Sequence, residues 1–269
     1  MKFSLKGLLT IAAAASALVL AGCGEKEADT SKIKVGVMAG AEAQVAEVAA
    51  KVAKEKYGLD VELVTFTDYV TPNAALDDGS IDINAFQHKP YLDQQVADRG
   101  YKLTIAGNTF VYPIAGYSKQ VKAVDEIQEG ARIAVPNDPT NLGRSLILLE
   151  QQGLLKLREN VGLLATVRDI VENPKNITIV ELDAAQLPRS LDDVALSVIN
   201  TTYASSINLT PQKDGVFVED KESPYVNLIV SREDNAQAEN VQNFVKSYQT
   251  EEVYTAASDI SQGGVVKGW

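Results

Sequence analysis

From Lys32 to Ala106 the chain switches repeatedly between two hydrophobic periods, and this switching confines it to one broad class of fold. Lys32–Met38 (KIKVGVM) has apolar residues at alternate positions, the period of a strand. Glu42–Tyr57 (EAQVAEVAAKVAKEKY) then sets Val45, Val48, Ala49 and Val52 on one face at helical spacing, and Gly58 follows as a C-terminal cap. Asp60–Phe66 (DVELVTF) reads as a second strand, and Pro72 opens a short helix that stops near Gly79. Ile81–Phe86 is a third strand, Lys89-Pro90 opens a helix through about Asp98, and Tyr101–Ala106 is a fourth strand. Such alternation predicts an α/β protein with a parallel or mixed sheet covered by helices.

The pattern then restarts. Ala131–Val135 and Ile177–Leu182 read as strands, as does Val194–Ile199, with a helix over Asn141–Gln152. Two α/β halves joined by two passages of chain would form a cleft between them. The candidate passages are Phe110–Ser118 (FVYPIAGYS) and Ser223–Arg232 (SPYVNLIVSR), both apolar and strand-like. Lobe one is therefore expected at residues 32–110 and 226–269, completed by a C-terminal helix after Ala236. Lobe two is expected at residues 111–225, crossover segments included.

The N-terminus argues about compartment. Lys2 and Lys6 precede an apolar run, Gly7–Leu20, that is too short for a membrane-spanning helix. The run ends in Leu20-Ala21-Gly22-Cys23, a small-residue cleavage site carrying the chain's single cysteine. Residues 1–22 read as a signal peptide and Cys23 as a lipidated first residue, acylated by fatty acids such as palmitate, with residues 23–31 as a polar tether. An ordinary signal peptide with an incidental cysteine is the plainer alternative. The folded body would then lie on the periplasmic side of the cell envelope, anchored to a membrane by the lipid.

The full chain has 25 basic and 36 acidic residues. Removing residues 1–22 takes away two lysines and no acids, leaving a formal charge of about −13. An acidic body without a basic patch argues against nucleic acid as a partner. With one cysteine no internal disulfide can form, so the core alone stabilises the fold.

Chemistry is concentrated in two places. Val135–Arg144 (VPNDPTNLGR) runs from a strand through a polar loop into an apolar-periodic helix. The first turn of such a helix offers unpaired N–H groups and a positive dipole end, and Arg144 lies in it; a guanidinium can hold a carboxylate through two parallel hydrogen bonds. The competing reading is a simple Asn or Asp cap with Arg144 on a solvated face. The second place is Asn84–Gln94 (NAFQHKPYLDQ), which contains the chain's one histidine, His88. Phe86 and His88 end the third strand, Tyr91 opens the following helix and Tyr69 follows the second strand. In open α/β sheets ligands bind beyond the carboxyl ends of the strands, which places all four at one predicted rim.

His88 could be a base, a metal ligand, a pocket wall or an ordinary loop residue. One histidine and one cysteine supply too few ligands for a zinc site, so no metal or cofactor is expected. G-x-S-x-G, P-loop and H-E-x-x-H motifs are absent, and no catalytic residue is assigned. A hydrolase using His88 is kept as a rival of a different class.

Seven segments, among them DINAFQHKPYLDQQ, AVPNDPTNLGRSLILL, LPRSLDDVALSVINTTYA and EDKESPYVNLIVSRED, resemble the NlpA lipoprotein family of methionine-binding lipoproteins. The resemblance runs from the Cys23 motif to the terminal Trp269. It implies a periplasmic-binding-protein (type II) fold with a ligand cleft between two lobes that close on the ligand, L-methionine first. D-methionine, a methionine-containing dipeptide or another apolar amino acid stay open, as does a surface adhesin role. The implied partner is an ABC importer of the MetNI type, an ATPase with a membrane permease. In the family the ligand's carboxylate is held by the arginine corresponding to Arg144, with Asn141 beside it. The thioether lies among the counterparts of Tyr69, Phe86, His88 and Tyr91, while those of Asn200 and Asn227 hold the amino end. Against the family pattern the chain is about two residues short near Asp192–Ala195, and none of these motifs places an acid where it would clearly face an ammonium group.

Overall fold

The computed structural model describes residues 29–220 and 222–269; Cys23, the signal peptide and most of the expected tether lie outside them. The first strands and helices are β1 (Lys32–Met38), α1 (Ala41–Tyr57), β2 (Asp60–Phe66), α2 (Thr71–Asp77), β3 (Ile83–His88), α3 (Lys89–Arg99) and β4 (Leu103–Val111). β3 and β4 both run further toward their C-terminal ends than the residue pattern predicts. Their polar residues Gln87, His88 and Asn108 interrupt the apolar signal but still find ladder partners in the sheet, while Thr109 falls at an irregularity in the pairing of β4.

The chain then forms β5 (Ala115–Tyr117), β6 (Arg132–Pro136), α4 (Pro139–Gln151), a small antiparallel hairpin of β7 (Lys156–Leu157) with β8 (Ile170–Glu172), and β9 (Thr178–Leu182). Next come α5 (Leu187–Ser190), β10 (Leu196–Ile199), α6 (Thr201–Ser205), α7 (Pro211–Asp214) and β11 (Phe217–Val218). Finally β12 (Val226–Arg232), α8 (Glu239–Tyr248), α9 (Glu251–Ile260) and β13 (Val266–Lys267) close the chain. Two helices and a short strand thus stand where one C-terminal helix was expected. Gln249 and Thr250 divide the helices, Thr250 capping α9 through the Val253 N–H.

The six-stranded sheet has the order β13-β4-β12-β3-β1-β2, and the five-stranded sheet β11-β5-β10-β6-β9. Both are mixed. β1 pairs in parallel with β2 and β3, whereas β12 enters antiparallel between β3 and β4. In the second sheet β6 is parallel to β9 and β10, with β5 antiparallel to β10. The chain leaves the first sheet after Val111, joins the second at Ala115, and returns between Val218 and Val226.

Each sheet buries its own core. α1, α8 and α9 cover one face of the first sheet through Val45, Ala49, Val52, Val241, Phe244 and Val253, while α2 and α3 bring Leu76 and Leu92 to the other. In the second, Leu146 and Leu149 of α4 pack on Ile133 and Val198. Each fully buried aliphatic or aromatic side chain of this kind contributes roughly 1.5–3 kcal/mol. A further cluster holds residues of both sheets: Met38, Phe86 and Tyr91 belong with Ala115, Ile199, Tyr203 and Ala204. That cluster lies where the C-terminal ends of β1 and β3 meet the second sheet.

Candidate functional site

His88 is the last residue of β3 and the N-cap of α3, and its ring has two fixed roles. Nδ1 accepts the Tyr91 backbone N–H at 3.2 Å, so the neutral ring carries its proton on Nε2, which donates to Asn141 Oδ1 at 3.3 Å. Burial, followed by the nearby positive charge of Arg144, holds its pKa down at about 3. A histidine so held stays neutral at physiological pH and does not shuttle protons.

Asn141 is oriented just as firmly. Asp138 caps α4 by accepting the Asn141 backbone N–H at 3.0 Å, and it also accepts from Asn141 Nδ2 at 2.9 Å. Asn141 Oδ1 is thereby turned away from the carboxylate, and it accepts from His88 and, at 2.9 Å, from Asn200 Nδ2. One polar chain therefore runs from the first sheet through α4 to the end of β10.

The aromatic residues form a second unit. Tyr69, Phe86 and Tyr91 have mutual centroid distances of 5.9, 6.2 and 6.1 Å, with both Tyr91 contacts edge-on. The Tyr91 hydroxyl donates to the Tyr69 carbonyl at 2.7 Å, and Tyr203 packs on Tyr69 at 4.9 Å. Asn227 Nδ2 donates to the Phe86 carbonyl at 3.0 Å, tying β12 to this wall. Behind it, the wholly buried side chains of Asn73, Asn84 and Gln87 satisfy one another through amide hydrogen bonds of 2.6–3.0 Å.

All eight residues singled out from the sequence as ligand contacts, Tyr69, Phe86, His88, Tyr91, Asn141, Arg144, Asn200 and Asn227, line one pocket, whose empty space counted out to its open mouth is about 360 Å³. Gln87, Tyr112, Thr201 and Thr202 complete it. The walls are apolar and aromatic toward Tyr69–Tyr91 and polar toward Arg144, the usual division of a small-molecule site.

Arg144 departs from the sequence expectation. Its Nε and Nη2 fork is already taken by Glu219: Nε donates to Oε1 at 2.8 Å and Nη2 to Oε2. Nη2 also donates to the Tyr112 carbonyl at 3.0 Å, and the guanidinium carbon stands 4.3 Å from the centre of the Tyr225 ring. The fork predicted for a ligand is thus spent on the protein, and Nη1 is the nitrogen without a hydrogen-bond acceptor among the described residues. The sequence reading missed Glu219, because nothing local distinguishes Val218-Glu219-Asp220 from any polar turn.

Glu42 was missed as well. It lies in the first turn of α1, 4% exposed, where Thr202 Oγ1 donates to its Oε1 at 2.5 Å and Oε2 has no partner among the described residues. Burial pushes its pKa up to about 8, so the acid is uncharged at neutral pH. An acidic residue in the first turn of an amphipathic helix is common, and only tertiary burial makes this one unusual. No group of metal-ligating side chains occurs among the described residues, and no described helix is long and apolar enough to cross a membrane.

Solved structures share this architecture. An ABC transporter periplasmic substrate-binding protein from Coxiella burnetii superposes with a TM-score of 0.85 at 47% identity, over 88% of this chain and all of that one. A nutrient-binding protein from Burkholderia cenocepacia, solved bound to methionine, gives 0.86 at 50% identity over 88% and 100%. The fold is therefore that of the periplasmic substrate-binding proteins. The pattern that defines the NlpA lipoproteins matches residues 33–269, and the "probable D-methionine-binding lipoprotein MetQ" of Vibrio cholerae is 84% identical over the full length of both chains. This chain belongs to the NlpA lipoprotein family.

Proposed function

We propose that the protein captures methionine in the cavity between its two sheets and delivers it to an ABC importer, an ATPase and permease of the MetNI type. The observation that carries this reading is the polarity of one pocket: a soft aromatic wall at one end and, at the other, a guanidinium with one nitrogen free of hydrogen-bond acceptors among the described residues. Tyr69, Phe86 and Tyr91, with the neutral face of His88, receive the thioether, each sulfur–aromatic contact contributing roughly 0.3–1.5 kcal/mol. Arg144 Nη1 takes the carboxylate. Asn200 and Asn227 hold the amino end, and the Asn200 Oδ1, which has no hydrogen-bond partner among the described residues, is an acceptor for it.

Residues 32–110 with 226–269 form one lobe and 111–225 the other, closing about the two passages that join them. Because only the closed arrangement lets both lobes touch the ligand, binding favours closure. Cys23 carries the lipid that keeps the body at the membrane. The chain itself catalyses nothing: His88 is neutral and fully engaged, and ATP hydrolysis belongs to the partner.

L-methionine is the first choice of ligand; the name of the Vibrio cholerae relative favours D-methionine as the second reading. Calorimetry with L-methionine, D-methionine, a methionine-containing dipeptide and leucine tests both. Strong heat with one methionine enantiomer is expected. Silence with both enantiomers and clear heat with another ligand would overturn the assignment.

A further inference from the structure

We propose that Glu219 sets the charge selectivity of the cavity: by pairing with Arg144 it makes the binding site electrically neutral, so that it accepts a zwitterion and rejects ligands of net charge. This rests on the reading above, in which the ligand's carboxylate meets Arg144.

The geometry is specific. Arg144 is 3% exposed at its side chain and Glu219 11%, so the pair is shielded from water. Glu219 holds the guanidinium by two nitrogens, and its backbone is fixed against the other passage: its N–H donates to the Ile114 carbonyl at 2.9 Å. The Tyr112 carbonyl and the Tyr225 ring hold the guanidinium from two further sides. Among the described residues lining the cavity, Arg144 is the one with a full charge, and Glu219 cancels it from behind; the Asp138 carboxylate behind Asn141 is only half-buried, so water screens it from the ligand. His88 is uncharged, and Glu42, behind Thr202, is also uncharged at neutral pH.

Charge counting then decides which ligands fit. A site of net zero charge that receives methionine stays at zero. The same site receiving the des-amino analogue 4-(methylsulfanyl)butanoate must bury one uncompensated negative charge, and a methionine amide one positive charge. Burying unpaired charge is strongly unfavourable, so both analogues suffer beyond the loss of their missing contacts. If Arg144 stood alone, the order would reverse: the anion would neutralise the site and the zwitterion would leave it positive. Glu219 is therefore a positioning residue for Arg144 that also determines specificity, without touching the ligand.

The test is the ratio of dissociation constants, des-amino analogue over methionine, measured by calorimetry at pH 7 on the wild-type protein and on Glu219→Gln. Removing the charge while keeping the shape should lower that ratio by about tenfold or more, since the anion gains where the zwitterion loses. A purely structural role would weaken both ligands alike and leave the ratio unchanged, which overturns the inference. Should the glutamine variant not fold, Glu219→Ala replaces it. The charge is again removed, and the ratio should fall likewise; a constant ratio in a folded Ala variant equally refutes the proposal. Wild-type protein that gives no heat with methionine would instead overturn the reading on which the inference rests.

Discussion

His88 and Glu42 show how burial, more than any other cause, chooses between the roles open to a titratable side chain. The imidazole has both nitrogens committed, one to capping α3 and one to Asn141. Replacing His88 with Ala should weaken methionine binding several-fold, and losing the cap should cost about 1 kcal/mol of stability. Calorimetry and urea denaturation on the same variant separate the two effects. The pKa shifts act in opposite directions on stability. Glu42 moves from an ordinary 4.5 to about 8, so the unfolded chain ionises first and stability falls as pH rises through that window. His88 moves from 6.5 to about 3, so the unfolded chain takes up a proton first and stability falls as pH drops below about 6.5. The Glu42→Gln variant should lack the alkaline loss: its melting temperature should gain on the wild type between pH 5 and pH 9. Parallel profiles in a calorimetric scan would refute this.

α4 is the element on which the site turns, because its first turns carry both Asn141 and Arg144 while its body packs on the second sheet. Asp138 serves the helix and the site together: it caps the backbone and orients the Asn141 amide. Asp138→Ala should cost about 0.5–2 kcal/mol of stability, and affinity for methionine should fall as well because Asn141 is free to turn. Gly143 explains the close fit of the helix to its neighbour. A Cβ there would stand 2.1 Å from the Leu163 carbonyl oxygen, a backbone atom that cannot swing aside. Gly143→Ala should therefore destabilise by about 1–3 kcal/mol or more, read as a lower denaturation midpoint, and should displace Arg144 from Glu219.

For the whole molecule the decisive feature is that the two sheets share contacts around the cavity. Thr202 of α6 reaches Glu42 of α1, the Tyr203 hydroxyl reaches the Thr67 carbonyl at 3.3 Å, and His88 meets Asn141. A ligand that binds only this folded arrangement stabilises it by mass action. Methionine at a hundred times its dissociation constant should add about 2.7 kcal/mol, which for a chain of this size raises the melting temperature by roughly 5–11 °C. Differential scanning calorimetry with and without ligand reads that shift. Arg144→Met, lacking the nitrogen for the carboxylate, should lose most of it.

The residue pattern by itself determined the alternation of strands and helices, because side-chain period follows backbone geometry over a few residues. It placed β1, α1, β2 and α4 within a few residues of their ends, and it brought Phe86, His88 and Tyr91 to one rim because they follow one strand end. Other features depend on chain segments far apart in sequence. The pattern marked Ser223–Arg232 as strand-like, but a period of two says nothing about which neighbours a strand will take. Only the tertiary structure inserts β12 between β3 and β4. The partners of Arg144 and the neutral state of Glu42 were hidden for the same reason. Arg144 and Glu219 are 75 residues apart and Glu42 and Thr202 are 160 apart, and whether a charge is paired or merely buried depends on what the fold places beside it.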